Sequence, residues 1–195
     1  MSFTLLKIND KRQVFLRGSG LNKKAAKLRK YLKLFEKEPE AGLFKPTVKA
    51  FTKNGLVIAR ACMRAGDITW KVDLPPCLGG KGATIGPVHC LLGALAGCAA
   101  SLIKNTLAPL MEYSVDSVEV DVQCNIDVRG ILGMEGATGD IRNVSLTVTV
   151  HSDEAPDKIE KLFEIWKQRA PVFLCFQKPV HISTNLIIKK PLHKC

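Results

Sequence analysis

The sequence lacks the patterns that would mark a metal protein, a nucleotide enzyme or a secreted domain. Its seven cysteines (Cys62, Cys77, Cys90, Cys98, Cys124, Cys175 and Cys195) include no CxxC pair and no Cys/His group at metal-ligand spacing. An odd, scattered set argues against a disulfide framework and predicts mostly free thiols in a reducing, cytoplasmic setting. The stretch "LGGKGATIGP" has no Walker spacing and is not a GxGxxG turn set directly between a strand and a helix, so no cofactor is expected. His89, His151, His181 and His193 stand apart, and no Ser-His-Asp arrangement follows from spacing. The opening "MSFTLLKINDKRQVFLRG" is interrupted by Lys7, Asp10, Lys11 and Arg12, which excludes a secretory signal. There is no internal repeat and no interdomain linker.

Acidic residues are scarce in one part of the chain only. Residues 1–53 hold 14 Lys and Arg against 4 Asp and Glu, whereas residues 54–195 hold 15 against 14. The net charge of +11 therefore belongs to an N-terminal extension, residues 1–44, ahead of a nearly neutral domain spanning 45–190. In the extension, Leu21, Ala25, Leu28, Tyr31, Leu32 and Phe35 share one face of a predicted helix over about 21–37. Lys23, Lys30, Lys33 and Lys37 lie opposite, and Pro39 stops the helix. Such a helix either docks its apolar stripe on the domain, or contacts nucleic acid or an anionic membrane.

The domain reads as strand-rich. "TVKAF", "LVIARACM" and "ITWKVDL" form three strands separated by turns at Gly55 and at Ala65-Gly66-Asp67. A helix starts at Pro87, suited to a first turn, and runs to about Leu107, where Pro109 kinks or ends it. No charge occurs from Ala83 to Ile103. The run is rich in Gly and Ala and contains His89, which fits a buried helix better than a membrane span. Its small residues, Gly93, Ala94, Ala96, Gly97, Ala99, Ala100 and Ser101, allow another backbone to approach, as in a homodimer with paired helices. Next, "VEVDVQCNIDV" and "VSLTVTV" alternate as half-buried strands. A helix then buries Ile159, Leu162, Phe163 and Trp166, and "VHISTNLII" is expected to close the domain as a strand. Strands grouped in this way predict an α+β fold with antiparallel pairing. The residues alone read Cys98, like Cys62, Cys90 and Cys124, as a small core residue, and Cys77 and Cys195 as loop and tail thiols.

The segment "VDLPPCLGGKGATIGPVHCLLGALAGCAASLI" resembles the OsmC/Ohr family, and the resemblance continues through "VEVDVQCNIDVRGILG", "RNVSLTVTVHSDEAPDKIEKLFEIWKQRAPVF" and "KPVHISTNL". "DVRGILG" is similar to an OsmC-like subgroup. The resemblance implies an OsmC-like fold, with antiparallel sheets wrapped around central helices in an intertwined homodimer. It also implies thiol-dependent peroxidase chemistry on organic hydroperoxides, with an external thiol or dithiol as reductant. Cys98 matches the attacking cysteine, and Lys53 of "KNG" best matches an assisting arginine, with Arg60 and Arg64 as fallbacks. Val88, beside His89, takes the place of an assisting glutamate. Ala170 takes the place of the second, resolving cysteine, so Cys175 or Cys90 would have to replace it. The expectation is a single-cysteine reaction at Cys98 in oxidative-stress defence, or else binding of a small apolar or acyl ligand in the interface pocket.

Overall fold

The computed structural model describes residues 19–43, 45–53, 56–63 and 65–189. "MSFTLLKINDKRQVFLRG", the turn at 54–55, Arg64 and Cys195 lie outside the described residues, as does the side chain of Lys53.

The element order is α1 (Ser19–Lys37), β1 (Thr47–Lys53), β2 (Leu56–Cys62), β3 (Ile68–Val72), α2 (Pro87–Leu102), α3 (Ala108–Leu110), β4 (Ser117–Ile126), α4 (Val128–Ile131), β5 (Ile141–His151), α5 (Pro156–Arg169) and α6 (Pro171–Gln177). Two antiparallel sheets result, β1-β2-β3 and β4-β5. The α+β reading from strand grouping is therefore the architecture found.

The central helix runs unbroken from Pro87 to Leu110, with a π-helical turn over Ile103–Leu107 between α2 and α3. Pro109 accounts for the turn: it has no N–H and its ring crowds the carbonyl four residues back. A wider turn relieves that clash, and the N–H of Ala108 bonds to the Ile103 carbonyl five residues earlier. Pro109 thus widens the helix where a kink or an end was expected. At 24 residues this segment is long and apolar enough to cross a membrane. Within the chain, however, its stripe Leu95, Ala99, Ile103 and Leu107 is buried.

Around that stripe sits the core. Val115, Leu162, Trp166 and Ala170 close on Ala99, Ile103, Leu107 and Ala108, and the inward valines of β4 and β5 pack against them. β4 alternates along its whole length, with Val118, Val120, Val122, Cys124 and Ile126 turned inward. Pairing runs from Ser117↔His151 to Ile126↔Ile141, with a register shift between Gln123 and Asn125. Asn143 in β5 takes φ 51° opposite that shift, so the bulge is local to β5. Trp166 is wholly buried between Phe163 and Phe173, with ring centroids 5.2 and 4.9 Å away.

Two expectations fail. Residues 180–188 pair with no strand, and Val180, Ile182, Leu186, Ile187 and Ile188 stand exposed. Their apolar alternation is that of a strand, but a strand needs an edge to pair with, and one chain does not supply it. Cys62 is likewise exposed rather than in the core, while Cys90 and Cys124 are half-buried.

Candidate active site

Cys98 lies in the middle of the central helix, half-buried and packed against the core cluster. It is 11 residues past Pro87, about 16 Å along the axis, so the helix N-terminus does not polarise it.

The same cluster contains Ala170, which is 0% exposed at the junction of α5 and α6. Cys98 and the position where the resemblance puts a second cysteine are therefore brought to one cluster. Cys175 is not its equivalent: five residues further on, it is exposed on α6. Cys90 lies eight residues before Cys98 on the same helix, about 12 Å along the axis, too far for a disulfide within one chain.

Of the cations that sequence reasoning named, Arg60 is the one whose side chain is described. Arg60 is exposed on β2 and faces Asp67 at 3.9 Å. Lys53 ends β1, paired through its backbone with Leu56. Lys104 lies six residues beyond Cys98 but gives its ammonium to the Val115 carbonyl. Val88 is half-buried and His89 exposed in the first turn of α2.

An apolar cavity of about 460 Å³ opens beside this cluster, lined by Leu95, Val144, Leu146, Phe163, Trp166 and Phe173 among others. Leu95, which lines the cavity, stands about one helical turn before Cys98.

Sequence reasoning missed Asp73. This carboxylate is 7% exposed and accepts hydrogen bonds from the N–H groups of Leu74 (2.9 Å), Lys81 (3.1 Å) and Ala83 (3.1 Å). The Ala83 bond, with those from Lys81 and Leu74, holds its pKa below the ordinary range, against the upward push of burial. The clasp shapes the loop "LPPCLGGKGA", and the Asp73 N–H bonds to Ile85 just before the helix. At Gly80 a Cβ would lie 1.9 Å from the Leu74 carbonyl oxygen, so only glycine fits. The available signal was an aspartate leading into a Pro/Gly-rich loop.

The family profile of OsmC-like proteins matches residues 80–185, more than half of the chain. The chain belongs to the OsmC-like family. No curated protein matches it by sequence. The fold is shared with the crystal structure of an OsmC-like protein from Mycoplasma pneumoniae (19% identity, 70% of this chain and 89% of that chain covered, TM-score 0.56). It is also shared with an organic hydroperoxide resistance protein from Elizabethkingia anophelis crystallised with thiocyanate bound (16% identity, 70% and 91% covered, TM-score 0.54). The OsmC-like match includes the Asp73-held loop from Gly80, all of the central helix and the α5–α6 junction.

Proposed function

We propose that this chain is an OsmC-like thiol redox protein that acts in the cytoplasm as a homodimer and reduces organic hydroperoxides through Cys98 alone. The observation that carries this reading is the position of Cys98, at the edge of the cluster that holds Ala170 and about one turn after Leu95, which lines an apolar cavity. In the cycle, the Cys98 thiolate attacks one peroxide oxygen, the O–O bond breaks, and the leaving alkoxide takes a proton to become an alcohol. The sulfur is oxidised to a sulfenic acid while the hydroperoxide is reduced. An external thiol then attacks that sulfur and expels water, leaving a mixed disulfide. A second thiol, or the other arm of a dithiol, releases Cys98 as the thiol and departs as a disulfide. Lys53 is the proposed cation that favours the thiolate.

Several features support the dimer. Gly93 and Gly97 have nothing within 4 Å of where a Cβ would stand, so the small-residue face of the central helix is uncovered within one chain. Residues 180–188 also have no partner strand. Both fit a second copy with paired helices and exchanged strands. In this reading residues 45–190 are the redox domain and residues 1–44 an added segment. Six described cysteines are free thiols, which fits a reducing cytoplasm.

The test is stopped-flow consumption of cumene hydroperoxide with dihydrolipoamide, comparing wild type with Cys98→Ser. The expected result is rapid turnover that the substitution abolishes; equal, slow reaction of both proteins refutes it. The cavity favours a second reading, a binding protein for an apolar or acyl molecule. Native mass spectrometry of freshly purified protein separates the two: a bound organic molecule alongside an inert Cys98 selects the second.

A further inference from the structure

α1 carries seven Lys and Arg against one Glu, a net +6 in 19 residues. Its N-terminal half is pinned to the far end of the central helix. Ala25 is 4% exposed, Lys24 Nζ donates to Asn105 Oδ1 at 2.9 Å, and Arg29 pairs with Glu112. The C-terminal half carries the same apolar stripe onward, but among the described residues it is only partly covered, with the Phe35 ring lying against Gly42. Tyr31 is 45% exposed, Leu32 48% and Phe35 37%, and Tyr31 stacks on Phe35 with ring centroids 5.9 Å apart. Among the described residues the one ion pair of α1 is Arg29 with Glu112, so Lys27, Lys30, Lys33 and Lys37 carry uncompensated charge.

We propose that the C-terminal half of α1 is a docking surface for an anionic lipid membrane. Tyr31, Leu32 and Phe35 enter the interfacial layer, and the lysines are attracted by the headgroup phosphates. The segregation of the helix decides the class of partner. Stripe and lysines occupy different faces, as an interface between apolar chains and anionic headgroups requires, whereas a nucleic-acid surface interleaves aromatic and basic groups. Lys27 flanks the stripe, and the lysines opposite stand across a helix about 10 Å thick, roughly one Debye length at physiological salt. Two +6 helices repel, so α1 is not suited to pairing with its own copy.

The experiment is sedimentation of the full chain with vesicles of phosphatidylserine and phosphatidylcholine, or of phosphatidylcholine alone, at 0.1 and 0.5 M NaCl. Binding is expected only to the anionic vesicles and is expected to weaken at high salt. The quadruple change Lys27→Gln, Lys30→Gln, Lys33→Gln and Lys37→Gln lowers it about tenfold. The triple change Tyr31→Ala, Leu32→Ala and Phe35→Ala lowers it by a similar factor with the charge intact. Circular dichroism verifies that both variants keep their helix content, as substitution of exposed residues should allow. Absent or lipid-independent binding, an unaffected triple variant, or binding to a single-stranded RNA oligomer in place of vesicles overturns the proposal.

Discussion

The β4–β5 hairpin and the β1–β2–β3 sheet are both antiparallel and both rich in apolar side chains, yet among the described residues only one of them packs on the core. Val118, Val120, Leu146, Val148 and Val150 pack on Leu107, Leu162 and Trp166. In the other sheet Val48, Phe51 and Ile68 stand 58, 44 and 54% exposed, and among its described residues Ala59 is the buried one. The difference lies in the neighbours of each sheet along the chain. β4–β5 is flanked by the central helix and α5, which fold back onto it. β1–β3 leads into the Asp73-held loop, which departs to start the helix. A small sheet with so little cover is marginal in water, which fits the proposed homodimer.

Breaking the covered half gives the largest effect. Trp166→Ala removes the side chain on which Phe163 and Phe173 pack, and should cost about 3–5 kcal/mol, read from the denaturant midpoint. A loss below 1 kcal/mol would mean that the cluster is not the core.

The uncovered half gives the sharper test. If one chain were the whole unit, Ile68→Asp at an exposed site would change stability by less than about 0.5 kcal/mol. If a second copy covers the sheet, the same change should cost about 2 kcal/mol and dissociate the dimer. Sedimentation velocity over a range of concentrations distinguishes the two; an unchanged sedimentation coefficient would mean that no second copy covers Ile68.

Local pattern made both regions legible before any tertiary contact was known. The alternation from Val118 onward placed β4, although the strand ends at Ile126 and Val128 already begins α4, and the i, i+4 spacing placed Leu162 and Trp166. What stayed hidden depends on distant or absent partners. Residues 180–188 carry the alternation of a strand, but pattern cannot say whether the pairing edge lies in the same chain. The π turn arises from the meeting of Pro109 with an otherwise continuous helix, and breaker rules read the same proline as an end. At the site, Cys98 was visible only through family resemblance, because free-thiol packing and free-thiol chemistry look alike in sequence. That Cys98 and Ala170 share one core cluster required the fold, since 72 residues separate them.

Asp73 joins the two regions and supplies the next prediction. Asp73→Asn keeps the shape but can accept through only one oxygen, so the bonds from Leu74, Lys81 and Ala83 cannot all survive. The Tm should fall on the order of 5 °C, with the loop before Pro87 losing hydrogen-exchange protection ahead of β4–β5. Uniform loss of protection would instead make the loop part of one cooperative unit with the core.

The smallest effect is acid sensitivity, and its sign is set by the carboxylates. Asp140 is held below the ordinary carboxylate range by Arg142 and by the Thr138 hydroxyl, and Asp127 by Arg129 through its side chain and backbone N–H. Glu154 is lowered by Lys158 and by the Ser114 N–H, and Asp73 by its three N–H donors. Each group binds protons more weakly folded than unfolded, so the unfolded state takes up more protons as the solution is acidified. Their stabilisation is complete above the unfolded carboxylate range, about pH 4–5, and is lost as pH falls through the lower folded values. The Asp127–Arg129 and Asp140–Arg142 pairs are solvent-screened at the base of the loop between β4 and β5, so Arg142→Gln should flatten the acid limb only slightly. Asp73→Asn should flatten it more, because a buried, triply bonded carboxylate is the least screened of the four. Thermal melts between pH 3 and 7 measure both slopes; a steeper acid limb in either variant would reverse the assignment.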